Sequence, residues 1–213
     1  MWQRQIAKLV DLGYRCIVPD LRGHGESHEP GEVCDLKEHI GDIIETLEPQ
    51  QIRYPAIWAG HSLGAIIAIE LAQLRADMFS KILAVSMPAK VPALTAEAFK
   101  WFVGGPHQAI KESGLHRNLD FRTRELISTN NHSLHQIATH FAQLNYLNRV
   151  PKILCPVHFA VGRLDPVAPC SEMQRLHKAM KGSTLTIIEW AGHNPMDSQA
   201  AAFDRWFFEK LVH

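Results

Sequence analysis

Ser62 lies between two glycines in Gly60-His61-Ser62-Leu63-Gly64, after a short apolar run and before a longer one. A hydroxyl in a glycine-flanked turn at the start of a helix is suited to nucleophilic attack. Small neighbours permit a tight turn, and the N–H of Leu63 faces the negative charge that develops on a substrate oxygen. A serine is a poor nucleophile alone; it needs a base, and the base needs an acid to orient it. Asp165, in Arg163-Leu164-Asp165-Pro166, follows an apolar run, and so does His193, in Ala191-Gly192-His193-Asn194-Pro195. The candidate roles are nucleophile for Ser62, general base and then acid for His193, and the orienting carboxylate for Asp165. Leu63 would donate its main-chain N–H to the oxyanion. Taken singly, the three side chains could be a helix-capping serine, a helix-capping aspartate and a loop histidine. Their shared placement at strand ends favours the chemical reading.

That reading requires elements that deliver all three side chains to one edge. Short apolar runs at 54–60, 81–87, 155–162 and 183–190 predict strands, and 14–20 predicts another that ends at Pro19. Trp2, Ile6, Leu9 and Val10 recur at helical spacing on one face, and Gly13 stops that helix. Leu36, Ile40, Ile43, Ile44 and Leu47 predict a second amphipathic helix. Residues 63–74 are apolar on most sides and predict a buried one. Helical segments also follow at 169–181 and 199–211. Strands alternating with helices mean an α/β fold with a mostly parallel sheet flanked by helices, whose carboxyl-end loops gather function.

Residues 93–150 break the rhythm. They hold no convincing strand, and they read as a helical insertion between two core parts, 1–92 and 151–213. Trp101, Phe102, Phe121 and Phe141 there suggest a mostly apolar pocket for a small or medium acyl compound.

Composition narrows the function classes. The 213 residues carry 22 Lys+Arg and 22 Asp+Glu, so no basic footprint suggests nucleic acid or an anionic membrane. No apolar run approaches a membrane span, and Arg4 and Lys8 interrupt what would be a signal peptide's apolar region. Cys16, Cys34, Cys155 and Cys170 lack CxxC spacing and read as reduced thiols of a cytoplasmic protein. The 13 histidines form no HExxH or Cys/His cluster, so neither a metal nor another cofactor is expected. The expected partner is a small-molecule substrate.

The chain resembles the α/β-hydrolase family of the lidded, single-domain type. The resemblance rests on DLRGHGES at 20–27, GHSLG at 60–64, VGRLDPVAP at 161–169 and AGHNP at 191–195. The order Ser, Asp, His along the chain is that of the family. It implies that residues 93–150 are a lid and that Asp20 and Arg22 shape a loop. His61, at a position that points into packing, would then not be a catalytic base. A serine at the elbow sets the chain apart from the epoxide hydrolase and haloalkane dehalogenase branches, which use aspartate.

The resemblance further implies that roughly 30–40 residues, about three strands with their loops, precede the helix that begins here. One of those strands would lie between residues 14–20 and 54–60, and one loop would supply a second oxyanion N–H. Met1 then reads as an internal methionine. Three function classes stand open: a serine hydrolase of an ester, lactone, thioester or carbonyl-adjacent C–C bond; a lyase or cofactor-free haloperoxidase-like enzyme on the same triad; and a truncated, inactive remnant or binding protein. Covalent labelling by a fluorophosphonate separates the third from the others, and an ester panel begins to separate the first from the second.

Overall fold

The computed structural model describes residues 1–27, 35–114 and 126–212. Strands β1 (Ala56–His61), β2 (Phe79–Val85), β3 (Val157–Gly162) and β4 (Ser183–Ile188) pair in parallel in the order β1-β2-β3-β4. Helices α1 (Gln3–Asp11) and α2 (Leu36–Leu47) precede the sheet. α3 (Leu63–Leu74) joins β1 to β2, and α4 (Ala93–Gly104), α5 (Pro106–Ser113) and α6 (Asn131–Gln143) lie between β2 and β3. α7 (Cys170–Ala179) joins β3 to β4, and α8 (Pro195–Ser198) and α9 (Ala200–Val212) end the chain. This is an α/β fold with a parallel sheet flanked by helices.

Strand alternation divides the core between the two sheet faces. Ile82, Ala84, Phe159 and Val161 join a cluster with the apolar residues of α2, α3 and α7. Leu83, Val85, Ala160 and Ile188 join another with Phe203, Trp206 and Phe207 of α9, on which Trp2 and Leu9 pack. α3 packs against β1, β2 and α2, and its buried residues are all apolar, from Leu63 to Ala72.

The apolar face read for α1 is partly corrected. Trp2 and Leu9 pack as expected, but Val10 is 57% exposed and the buried residue is Gln5. The reason lies at the other end of the chain. Gln5 Nε2 donates to Asp204 Oδ1 at 2.7 Å, and Lys8 Nζ and Arg4 Nη2 donate to Asp204 Oδ2 at 2.7 and 3.1 Å. Burial pushes the Asp204 carboxyl up, but the hydrogen bonds from Lys8 and Gln5 and the charges of Lys8 and Arg4 outweigh it. The group is held below the usual carboxylate range.

Residues 14–20 do not form the expected strand. A strand exists through its ladder, and among the described residues these seven pair with none; β1 is the edge of the described sheet. They are tied instead by single contacts. Tyr14 N–H donates to the Leu9 carbonyl at 2.9 Å, Arg15 Nη1 donates to the Gln50 carbonyl at 2.8 Å, and Ile17 packs on the core.

Residues 93–150 contain no strand among the described residues. α4 packs on α6, with Phe99 and Phe141 in contact at 6.4 Å between ring centroids. Trp101 is 72% exposed, and α4 turns Ala96, Phe99 and Val103 inward instead. Phe121 and Cys34 lie outside the described residues. Cys16, Cys155 and Cys170 are free thiols.

Candidate active site

β1 ends at His61 and the chain turns at Ser62 with φ +50° and ψ −114°, a conformation that costs a non-glycine residue about 1–3 kcal/mol. Hydrogen bonds on both sides hold it. Ser62 N–H donates to the Val85 carbonyl at 2.9 Å, extending the β1–β2 ladder by one residue. The Ser62 carbonyl accepts from Ala65 and Ile66 N–H at 3.0 and 3.1 Å, which starts α3.

The two flanking glycines are not equivalent. A Cβ on Gly60 would collide with the main chain of Gly64 and Ala65, whereas one on Gly64 would meet nothing within 4 Å outside its own helix. Only the first glycine is therefore demanded by the close turn; the expectation that both are is corrected.

The three candidate side chains meet although Ser62 and His193 are 131 positions apart. His193 Nε2 lies 3.1 Å from Ser62 Oγ, and His193 Nδ1 lies 3.0 Å from both Asp165 oxygens. Asp165 Oδ1 also accepts from Val167 and Ala168 N–H, each at 2.9 Å. The Asp165 side chain is fully buried, and that burial pushes its carboxyl up. The hydrogen bond and charge of His193 and the two main-chain donors outweigh it, leaving the carboxyl below its usual range. An ionised carboxylate only accepts, so Nδ1 carries the proton facing it. In the neutral ring Nε2 is then the bare nitrogen, placed to accept from the Ser62 hydroxyl. A serine hydroxyl, an imidazole and a carboxylate thus stand in hydrogen-bonding sequence, the geometry that activation of a hydroxyl nucleophile requires.

Leu63 is the first residue of α3 and is buried. Like every first-turn amide, its N–H has no partner within its own helix. Asp20 and Arg22 hold a loop together. Asp20 accepts from Glu26 N–H at 3.0 Å through its side chain and from Ser27 Oγ at 2.8 Å through its carbonyl. Arg22 grips Asp42 with Nε at 2.6 Å and with Nη2.

Two positioning features escaped the sequence reading. Gly162, the last residue of β3, lies so close to Ala191 and Gly192 that a Cβ would collide with their carbonyls. Beyond it Arg163 N–H donates to the Ile188 carbonyl at 2.9 Å and Leu164 N–H to the Ala191 carbonyl at 2.8 Å. The loops carrying Asp165 and His193 are thus laced together past the end of the sheet. A glycine closing an apolar strand was the available signal. The other is His61, whose Nε2 donates to the His193 carbonyl at 2.7 Å, with the rings 4.9 Å apart. Spacing in sequence gives no sign of that contact.

A parallel sheet that carries a serine elbow after one strand and an Asp–His pair after two later ones defines a hydrolase-type architecture. The chain belongs to the alpha/beta hydrolase family, whose profile matches residues 1–206. It is 34% identical over 90 residues to epoxide hydrolase A of Mycobacterium tuberculosis, a match spanning 41% of this chain and 28% of that protein. It is 25% identical over 229 residues to the pimeloyl-[acyl-carrier protein] methyl ester esterase of Vibrio vulnificus, across 95% of this chain and 86% of the relative. Its fold superposes on the enol-lactonase from Burkholderia xenovorans with a TM-score of 0.81 at 21% identity, covering 100% of this chain and 86% of the other.

Proposed function

We propose that the chain is a serine hydrolase acting on a small or medium carboxylic ester or a chemically related acyl compound: a lactone, a thioester or a carbonyl-adjacent C–C bond. The observation that carries this reading is the hydrogen-bonded sequence Ser62–His193–Asp165 at the carboxyl ends of β1, β3 and β4. Ser62 Oγ attacks the acyl carbon as its proton passes to His193 Nε2. The resulting imidazolium is stabilised by Asp165, and the Leu63 N–H donates to the oxyanion. His193 then returns the proton to the leaving group, and the C–O or equivalent bond breaks. Water, deprotonated by the same nitrogen, releases the acid and restores Ser62.

The similarity over nearly the whole chain to an esterase supports the ester class. The serine at the elbow favours acyl-enzyme chemistry over that named for the epoxide hydrolase relatives. Residues 93–150 act as a lid over the core of 1–92 and 151–213. Thr95 Oγ1, in the first turn of α4, donates to the carbonyl of Pro166, next to Asp165, at 3.1 Å.

Turnover of p-nitrophenyl acetate and butyrate by the wild-type chain, Ser62→Ala and His193→Ala tests the proposal. Turnover that both substitutions reduce to background supports it. Turnover that survives in Ser62→Ala, or none in the folded wild-type chain, contradicts it.

A further inference from the structure

β1 and β4 lie at opposite ends of the four-strand order, so the reach between Ser62 and His193 depends on how the loop after β4 is carried back across the sheet. Asp165 fixes the tilt of the His193 ring through Nδ1, and the Leu164–Ala191 contact holds the start of the loop. Neither holds the main chain of residue 193 itself.

We propose that His61 is a positioning residue that sets the distance between nucleophile and base by holding the main-chain carbonyl of His193. This rests on the serine-hydrolase reading of the site. His61 Nε2 lies 2.7 Å from that carbonyl oxygen, and a carbonyl can only accept, so Nε2 carries a proton in every protonation state of His61 that keeps the contact. His61 directly precedes Ser62, whose backbone is locked at φ +50° between the β2 ladder and the first turn of α3. The dipeptide 61–62 therefore grips residue 193 twice: by its ring, through Ser62 Oγ at 3.1 Å, and by its main chain, through His61 at 2.7 Å. The two bonds close a ring of contacts in which neither partner shifts along the sheet without breaking one of them. His61 touches neither the proton in flight nor the acyl carbon; it acts through His193.

His61→Phe keeps a ring of similar size and removes the donor. His61→Gln removes the ring and places an amide N–H at a similar reach. The measurements are the fluorophosphonate labelling rate, kcat and KM for p-nitrophenyl butyrate, and the unfolding midpoint. A misplacement on the order of 1 Å costs about 10²-fold in rate. Accordingly His61→Phe should lose about 10–10²-fold in labelling and kcat with KM nearly unchanged, and His61→Gln should recover most of it at an equal unfolding midpoint. A His61→Phe chain with wild-type kcat, or one whose loss His61→Gln does not repair, overturns the proposal.

If His61→Phe does not fold, His61→Asn replaces it, since its shorter side chain cannot reach the carbonyl; rates equal to those of His61→Gln overturn the clamp. A chain that fails to label at all counts against the serine-hydrolase reading instead. The clamp then has its own readout, the downfield NMR signal of the His193 Nδ1–H that faces Asp165. It should persist in His61→Gln and broaden away in His61→Phe, or in His61→Asn where that replaces it; persistence in the donorless variant overturns the proposal.

Discussion

The loops at the carboxyl ends of β1, β3 and β4 are held by main-chain ladders that run on past the strands: Ser62 to Val85, Arg163 to Ile188, Leu164 to Ala191. The helices of residues 93–150 are attached at scattered points, none of which continues a strand's ladder. Tyr146 N–H donates to the Ala89 carbonyl at 2.8 Å and Lys90 bridges to Asn145, which pins the two ends of the insertion to each other. Tyr146 Oη and Arg149 Nη2 then reach Glu70 on α3 at 2.8 and 3.1 Å, and Asn130 N–H reaches the Gly23 carbonyl at 3.2 Å. Between those pins Thr95 Oγ1 donates to the Pro166 carbonyl and α4 packs on α6. On the proposed function, proton transfer between Ser62 and His193 requires sub-ångström placement, whereas the proposed lid needs only to stay attached while it admits and releases a ligand.

The largest expected effect falls within the ladder-held region. Asp165→Asn keeps the shape of the carboxylate but reverses the hydrogen-bonding demand on Nδ1, so kcat should fall about 10³–10⁴-fold with KM little changed. Steady-state ester kinetics check this. A loss confined to KM would mean that Asp165 serves binding and not the base.

An acid titration gives a second contrast, inside the core. Burial, and then the nearby charge of His24, lower the pKa of His39 on α2 to about 4. The folded chain thus keeps His39 neutral where the unfolded chain, near the ordinary value of about 6.5, takes up a proton. With more protons bound in the unfolded state, stability falls as pH drops from about 6.5 towards 4, by about 2–3 kcal/mol for this one group. Denaturant unfolding at a series of pH values should show that slope reduced in His39→Leu. The depressed carboxyls Asp165 and Asp204 act lower on the scale. Their contribution is complete above the unfolded carboxylate range and is lost only as pH falls through their lowered folded values.

The two glycines of the elbow come next. Gly60→Ala drives a methyl into the main chain of Gly64 and Ala65 and should cost about 1–3 kcal/mol, with the Ser62–His193 reach disturbed. Gly64→Ala should leave the unfolding midpoint unchanged or slightly raised, because alanine suits a helix better than glycine. Equal losses for both would show that the turn is less tight than the geometry indicates. The smallest effect belongs to the pinned helices. Tyr146→Phe removes one hydrogen bond to Glu70 and should cost about 1 kcal/mol of stability, raising proteolytic nicking within 93–150 more than it lowers kcat.

Much of this arrangement was legible in sequence because it follows local periods. Apolar runs placed β1 to β4 within two residues at most of their ends, and the glycine-flanked serine, Asp165 and His193 lay where parallel strands deliver side chains. What was not legible depends on partners distant in the chain. Residues 14–20 have the composition of a strand, yet a strand is made by its neighbour, and none pairs with them among the described residues. Gln5 looks like a surface residue until Asp204, 199 positions later, supplies its partner. Trp101 is large and apolar, yet it stays exposed because α4 buries its other face. His61 spans 132 positions to a main-chain carbonyl, a contact with no compositional signature.

The proposed function makes Ser62, activated by His193, the group that forms the acyl-enzyme. Its most direct test is to treat the folded chain with a fluorophosphonate and locate the adduct by mass spectrometry of the peptide containing residues 60–64. The expected result is one adduct per chain, on Ser62. No adduct on the folded chain, or one on a different residue that persists in Ser62→Ala, would contradict it.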